Sequence, residues 1–563
     1  MKGKTEQDRD IGQLVRTATQ SHIDVDTFYS PRDLPDLGYE TDLGDPGQYP
    51  YTRGLYKDMY RARLWLKSFI VSYATVEETN EAFRQYFASG MNDLRIGGDL
   101  TGQVGLDPDH PSAFTALQCG GPSVYSMQVY ERMLEGLSLE EGVYELGDAN
   151  LASPLFRYAV LVAIMEKRGD DIRKLRGNAV NDPIRAKLVF GAPDFTTEIN
   201  KRVCLDQIEF SLQNTPNWRP FAPNGVDLNQ SGMDVVAELG GTLALGEAIM
   251  RELRDERGIT IDDFGPMVFS FDADSDFFEN IAKFRLARKM WARIAKEKLG
   301  ARTERAMKLK IGIRTSGLSL QAQNPLNNAA RVAFQILSCV MGGVNSLDAS
   351  SIDEALGLPS YEARMFSLHT QHIIAHETNV PLVGDPLGGS YYLEWLTRKL
   401  EEETERYLHD IEEHGGIFKC LDSGWLASKM FDNRLKVLKE KREGKRLIIG
   451  VNAFPYEDGP INEAIGRSTY HAPPVEVREQ TLAEVKRFKE SRNQQELKQR
   501  MKVLYRAAKA GDNVVRPVIE AVKAGMTLGE MVGVIRLGYG LPYDNLEQID
   551  MPGLVSEMLR ECE

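Results

Sequence analysis

Two adjoining stretches, DFFENIAKFRLARKMWARIAKEKLG (residues 276–300) and KLKIGIRTSG (308–317), set the pattern that decides the fold. The first has the spacing of a long amphipathic helix; the second is a short apolar segment of strand length. The same alternation recurs on either side. LRIGGDL (94–100), VYELGDA (143–149) and VPLVGDP (380–386) read as strands, and TVEETNEAFRQYFASGM (75–91) reads as a helix. Strand-then-helix units repeated over residues 51–400 predict an α/β chain folded as a (β/α)8 TIM barrel, with its site on loops at the carboxyl ends of the strands.

Residues 1–50, rich in Asp, Gly, Pro and Tyr (YSPRDLPDLGYETDLGDPG), lack a period and read as an extended N-terminal arm. Residues 401–563 hold charged amphipathic helices such as LEEETERYLHDIEEHGG and EQTLAEVKRFKESRNQQELKQRMKVLYRAAKAG, joined by the strand-like RLIIGVNAF (446–454). They predict a C-terminal helical region laid on the barrel.

Composition narrows the function. The chain has 563 residues, 42% hydrophobic and 27% charged, with a net charge of −14 and both signs mixed along its length. No basic surface is marked for nucleic acid, and no apolar run is long enough for a membrane span. The polar start MKGKTEQDRD lacks a signal peptide's apolar core, so a cytoplasmic protein is expected. Cys119, Cys204, Cys339, Cys420 and Cys562 have neither CxxC spacing nor the density of a disulfide framework. His369, His372 and His376 share one helix face without a carboxylate-rich partner motif, so no metal site is expected. No GxxxxGK[ST] loop occurs, and the glycines of GDPLGGSYYLEWL (384–396) read as a tight turn.

Several stretches in order carry a more specific signal: YTRGLYKDMYRARLW (51–65), LDPDHP (106–111), RTSGLSLQAQNPLNN (314–328), SSIDEALGLPS (350–360) and DPLGGSYYLEWLT (385–397). Together they resemble the large, substrate-binding subunit of adenosylcobalamin-dependent acyl-CoA mutases, the methylmalonyl-CoA and isobutyryl-CoA mutase family. The resemblance implies a barrel threaded by the pantetheine arm of an acyl-CoA, with cobalamin against its carboxyl-terminal mouth. It also implies a radical migration of the thioester carbonyl group, in which the cofactor carries the hard chemistry and the protein aligns the substrate and excludes quenching groups. The cobalt-ligating DxHxxG motif is not found: His110 and His414 have the wrong spacing. A separate small cobalamin-binding subunit is therefore expected, wrapped by the N-terminal arm in a heterotetramer of two large and two small subunits.

Residue by residue, the resemblance implies that Glu354, with Ala355 beside it, contacts the adenosyl ribose and that Gly317 lies beside the corrin. Tyr56 and Met59 fall in a CoA-substrate segment; the plainer alternative for both is core packing. The acyl pocket departs from the family. Ile70 stands for a Tyr that covers the acyl group, Asn178, Ala179 and Val180 replace Thr-Ile-Gln, and Phe190 replaces the Arg that clamps a free carboxylate. A carboxylate buried against Phe190 would lose its partner, so methylmalonyl-CoA and succinyl-CoA are disfavoured.

Gly97 and Gly98 occupy positions of larger residues, Gly98 near the corrin and Gly97 where 2-hydroxyisobutyryl-CoA mutases have a hydroxyl-binding Asp. A roomier apolar pocket for a bulky, branched or aromatic acyl group is expected, unless other side chains refill the space. Asp227, in NGVDLNQSGMDVVAEL (224–239), replaces the His that donates to the thioester carbonyl. Three readings are open: a protonated Asp227 donates; Asp227 accepts from a substrate hydroxyl, making a hydroxyacyl-CoA mutase; or it bonds local backbone while Asn178 or Arg314, which stands for a family Gln, polarises the carbonyl. Loss of both His and Arg also allows a non-catalytic acyl-CoA-binding scaffold.

Overall fold

Each barrel strand is a short run whose alternate side chains face opposite sides, and several of the helices begin at a polar cap. In the computed structural model, residues 17–562 are described except 115–116, 119, 147–151, 190–194 and 469–473. Eight parallel strands follow in chain order: β1 (Leu66–Val71), β2 (Asp93–Ile96), β3 (Tyr144–Leu146), β4 (Gly177–Ala179), β5 (Trp218–Arg219), β6 (Met267–Ala273), β7 (Leu309–Thr315) and β8 (Ser346–Asp348). Their order, β5-β4-β3-β2-β1-β8-β7-β6, is a ring opened only between β5 and β6. A parallel bridge between Asn224 and Ser270, with the Ser270 amide donating to the Pro223 carbonyl at 3.0 Å, spans that gap. The (β/α)8 barrel expected from the sequence is therefore the fold.

The helices that cover the strands are α1 (Val76–Ala88), α2 (Met127–Met133), α3 (Ala152–Arg168), α4 (Thr197–Asn214), α5 (Val235–Arg257), α6 (Phe277–Arg293), α7 (Asn327–Met341) and α8 (Tyr361–His376). Thr75 and Glu78 cap α1 reciprocally, Ser126 caps α2 and Asp234 caps α5, satisfying amides that have no partner within the helix. Outward strand residues such as Phe69, Leu94, Ile96, Phe269, Phe271, Ile311 and Ile313 are buried among these helices and form the core. The opposite face of the strands lines the lumen, and there most residues are polar, charged or small, with Ile70 an apolar exception.

Two strand expectations fail. VPLV holds a 3-10 turn at Val380–Leu382, because Pro381 lacks the amide a ladder needs, and RLIIGVNAF makes only an isolated bridge between Ile449 and Ala453. His372 Nε2 donates to the Ser89 carbonyl at 3.2 Å and the ring stacks on His376, as a packed helix face.

The C-terminal region is helical: α9 (Tyr391–Glu413), α10 (Trp425–Arg442), α11 (Val475–Ser491), α12 (Gln494–Ala510), α13 (Val515–Lys523) and α14 (Leu528–Gly538). α9 lies on α5 and α6, and α13 and α14 lie on α3. LDPDHP fastens this layer. Asp107 accepts from the Thr527 hydroxyl at 2.6 Å and the Gly529 amide at 2.8 Å, at the first turn of α14, and His110 meets Asp544 at 3.2 Å. DPLGG is fastened likewise, with Asp385 between Arg53 and the buried Arg285, and the Gly389 amide donating to Glu394. The described part of the arm lies on its own barrel: Gln20 and Ser21 amides donate to Asp276 and Glu279, and Tyr29 packs 4.6 Å from Trp395. Among the described residues no helix is long and apolar enough to cross a membrane.

Candidate active site

Barrel interiors are commonly filled with bulky apolar side chains. Here alternation points Ser68, Ile70, Asp93, Arg95, Glu145, Asn178, Arg219, Ser270, Asp272, Lys310, Gly312, Arg314, Ser346 and Asp348 into the lumen. The lumen is thus graded along its axis.

At the amino end Lys310 and Arg219 lie close to Arg63 and Arg305. Burial and these neighbouring cations push Lys310 below its usual range, and burial followed by Arg305 pushes Arg219 down to about 10. No acidic partner is found for these four among the described residues. Midway, Ser270, Gly312 and Ser346 are small. Above them Arg95 meets Glu145 at 3.2 Å, Asp348 at 3.6 Å and the Ser68 hydroxyl at 3.1 Å, while Asn178 donates to Glu145 at 3.4 Å. Burial, then the neighbouring Glu145 carboxylate, raises Asp93 to about 7.

At the carboxyl end Ile70, Gly97, Gly98, Arg314 and Glu354 converge on one cavity of about 190 Å³, together with Tyr73, Leu358 and Arg364. Arg314 donates to Glu354 at 2.7 Å. Burial pushes the Glu354 carboxyl up, but Arg314 and Arg364 outweigh it and hold the group below its usual value. Gly317 is adjacent: a Cβ there would sit 3.7 Å from Glu354 Oε1 and 3.9 Å from Gln230 Oε1. Ala355 is exposed on the rim.

Space beside the two glycines is refilled. A Cβ on Gly97 would lie 2.2 Å from the Ser72 hydroxyl and 2.9 Å from Ile70 Cγ2, and one on Gly98 would lie 2.2 Å from the Arg157 guanidinium. The cavity is accordingly modest.

Asp227 is on the short helix Gly225–Ser231, but Asn224 is its cap, accepting from the Asp227 amide. The Asp227 carboxylate faces the Arg185 guanidinium and accepts from Asn224 Nδ2 at 2.9 Å. Val180 is buried just beyond β4. Tyr56 and Met59 lie near the amino end: Tyr56 is exposed with Lys308 Nζ 6.0 Å from its ring, whereas Met59 is buried against the hollows of Gly54, Gly343 and Gly384. Phe190 lies outside the described residues.

The family model for methylmalonyl-CoA mutase matches residues 18–541. This chain belongs to the methylmalonyl-CoA mutase family. It is 31% identical over 510 residues to the 2-hydroxyisobutanoyl-CoA mutase large subunit of Aquincola tertiaricarbonis, covering 90% of this chain and 89% of that one. It is 31% identical to methylmalonyl-CoA mutase of Rhizobium meliloti, covering 93% of this chain and 72% of that one, and 28% identical to the mitochondrial enzyme of Mus musculus, covering 93% and 68%. Members of the methylmalonyl-CoA mutase family are adenosylcobalamin-dependent isomerases of acyl-CoA thioesters.

Within this mutase the charged residues Arg95, Glu145, Asp348 and Arg185 were not singled out by sequence motifs. The signal for Arg95 and Arg314 was available: strands DLRI and LKIGIRT carry charges at the alternate positions that face a lumen. For Arg185 no local signal exists, because its partner Asp227 is 42 residues away.

Proposed function

We propose that this mutase rearranges the carbon skeleton of an acyl-CoA whose acyl group carries no charge. The observation that carries the reading is the contrast between the two ends of the lumen. Arg63, Arg219, Arg305 and Lys310 at the amino end have no acidic partner among the described residues, which suits the phosphates of CoA. At the carboxyl end Arg95 faces Glu145 and Asp348, Arg314 faces Glu354, and Arg185 faces Asp227. Arg364 is engaged by the Ala349 carbonyl and the Phe69 ring. A substrate carboxylate entering there would have to displace one of these carboxylates, or the Ala349 carbonyl on Arg364, from its guanidinium.

Asn178, Ile70, Val180, Gly97 and Phe190 would border the acyl group, with Tyr56 and Met59 toward the CoA segment. Asp227 would orient Arg185. The carboxyl-terminal rim fits a cobalamin: the absent side chain of Gly317 leaves a shelf beside Glu354, next to the exposed Leu318 and Ala355. Glu354 and Gly98 are the residues that would lie against it. When bound, adenosylcobalamin supplies the radical that removes a hydrogen from the acyl group. This chain's residues align the thioester and keep water out. A separate small subunit with DxHxxG would ligate the cobalt in a two-plus-two heterotetramer, a reading supported by the likeness to a large subunit over 89% of that subunit's length.

A hydroxyacyl group is the second reading. Its support is that Asp227 Oδ2 holds the contacts to Arg185 and Asn224, leaving Oδ1 to accept from a substrate hydroxyl. The test combines the large and small subunits with adenosylcobalamin and pivalyl-, isobutyryl-, hydroxyacyl-, arylacyl- and methylmalonyl-CoA, with isomers read by mass spectrometry. Neutral substrates should turn over; a preference for methylmalonyl-CoA would refute the reading.

A further inference from the structure

Between the basic amino end and the carboxyl-end cavity lie Arg95 and its partners Glu145 and Asp348. Arg95 rises from β2, and its guanidinium reaches Ser68 on β1, Glu145 on β3 and Asp348 on β8. On β7, a Cβ added to Gly312 would lie 3.9 Å from Arg95 Nη2. A group in reach of four strands, one of them three places round the ring, lies across the axis. The residues beneath it, Ser270, Gly312 and Ser346, have small side chains or none.

We propose that Arg95 is a substrate-contacting residue that bars the lumen, and that the pantetheine arm of an entering acyl-CoA must turn it aside to reach the acyl cavity. Three features support this. Arg95 is the only lumen side chain among the described residues that contacts both the β3 and β8 carboxylates. Those contacts are ion pairs that lack hydrogen-bond geometry at Arg95 Nη2 and Asp348 Oδ2, and the buried Asn178 Oδ1 beside them has no hydrogen-bond partner, so the amides of a pantetheine chain would supply bonds that the closed arrangement does not make. Asp348 also lies 3.9 Å from Arg314 Nε, so it has a second guanidinium to turn to when Arg95 moves. Glu145 keeps the displaced guanidinium beside the thioester arm, where it donates to the substrate.

This inference rests on the proposed binding of acyl-CoA along the lumen, and its test separates the two. Stopped-flow association is measured with two probes, isobutyryl-CoA carrying a fluorescent ethenoadenine and the matching adenosine bisphosphate, which reaches only the basic end. In Arg95→Ser/Glu145→Ser, which removes one charge of each sign, the acyl probe should associate about tenfold faster, and the bisphosphate at an unchanged rate. Arg95→Lys, which keeps the charge but cannot fork between two carboxylates, should fall between. Thermal melting establishes that each variant is folded. Unchanged association of the acyl probe, or equal acceleration of both probes, overturns the bar while leaving acyl-CoA binding in place. Failure of both probes to bind the unaltered protein overturns the binding mode and the bar with it.

Discussion

Replacing Arg314 by Gln removes the guanidinium that Glu354 faces at 2.7 Å and leaves the carboxylate in place, still accepting from the Ser351 amide at 3.2 Å. Breaking a buried pair on one side typically costs about 3–5 kcal/mol. The two side chains here are 28% and 17% exposed, so water screens part of the loss, and about 1–3 kcal/mol is expected. The pH dependence is the sharper test. Glu354 is held below its ordinary 4.5, so its contribution is fully present above that value and is lost as pH falls through the lower folded value. In Arg314→Gln only Arg364 and the remaining hydrogen bonds oppose burial, so the carboxyl rises and the acid limb from Glu354 shrinks. Urea unfolding of both proteins should show a gap near neutral pH that narrows below about pH 4. A gap of the same size at both pH values, or none near neutrality, would refute the role given to this pair.

Asp227→Ala should lower turnover by about tenfold or more, through loss of Arg185 orientation, while assembly with the small subunit is retained; equal loss of both would remove Asp227 from the site. Burial, and next the neighbouring Glu238, raises Asp272 from 3.8 to about 8. Its contribution to stability is therefore complete below 3.8 and is lost as pH rises to about 8. Asp272→Asn should flatten that decline, at most about 1.4 kcal/mol per pH unit, in thermal melts across this window. Asp107→Ala removes the acceptor of Thr527 and Gly529 and a partner of Lys489, and should cost about 2–4 kcal/mol, with hydrogen exchange rising first in α14.

The refilled spaces at Gly97 and Gly98 show how far the sequence carried the pocket. A glycine in a strand-end motif reports that a side chain is absent, not which neighbour occupies the volume. Ser72 is 25 residues before Gly97 and Arg157 is 59 after Gly98, and only folding brings them there. Asp227 is a similar case. Its isolation among small and amide residues was legible, whereas its guanidinium partner belongs to the short helix Pro183–Leu188 after β4, 42 residues earlier.

Local patterning alone marked β2, β3 and β7, the helices α1 and α6 and the helical C-terminal layer, because amphipathic period acts within one or two turns of chain, whereas others, such as β4, β5 and β8, are too short to be read that way. The ordered motifs determined the family. Tertiary structure decided which side of each strand becomes lumen, and so turned scattered charges on β2, β3, β7 and β8 into one row of paired ions across the axis. Ion pairing depends on distance in space, and a closed parallel barrel places side by side residues that the chain separates by tens to hundreds of positions.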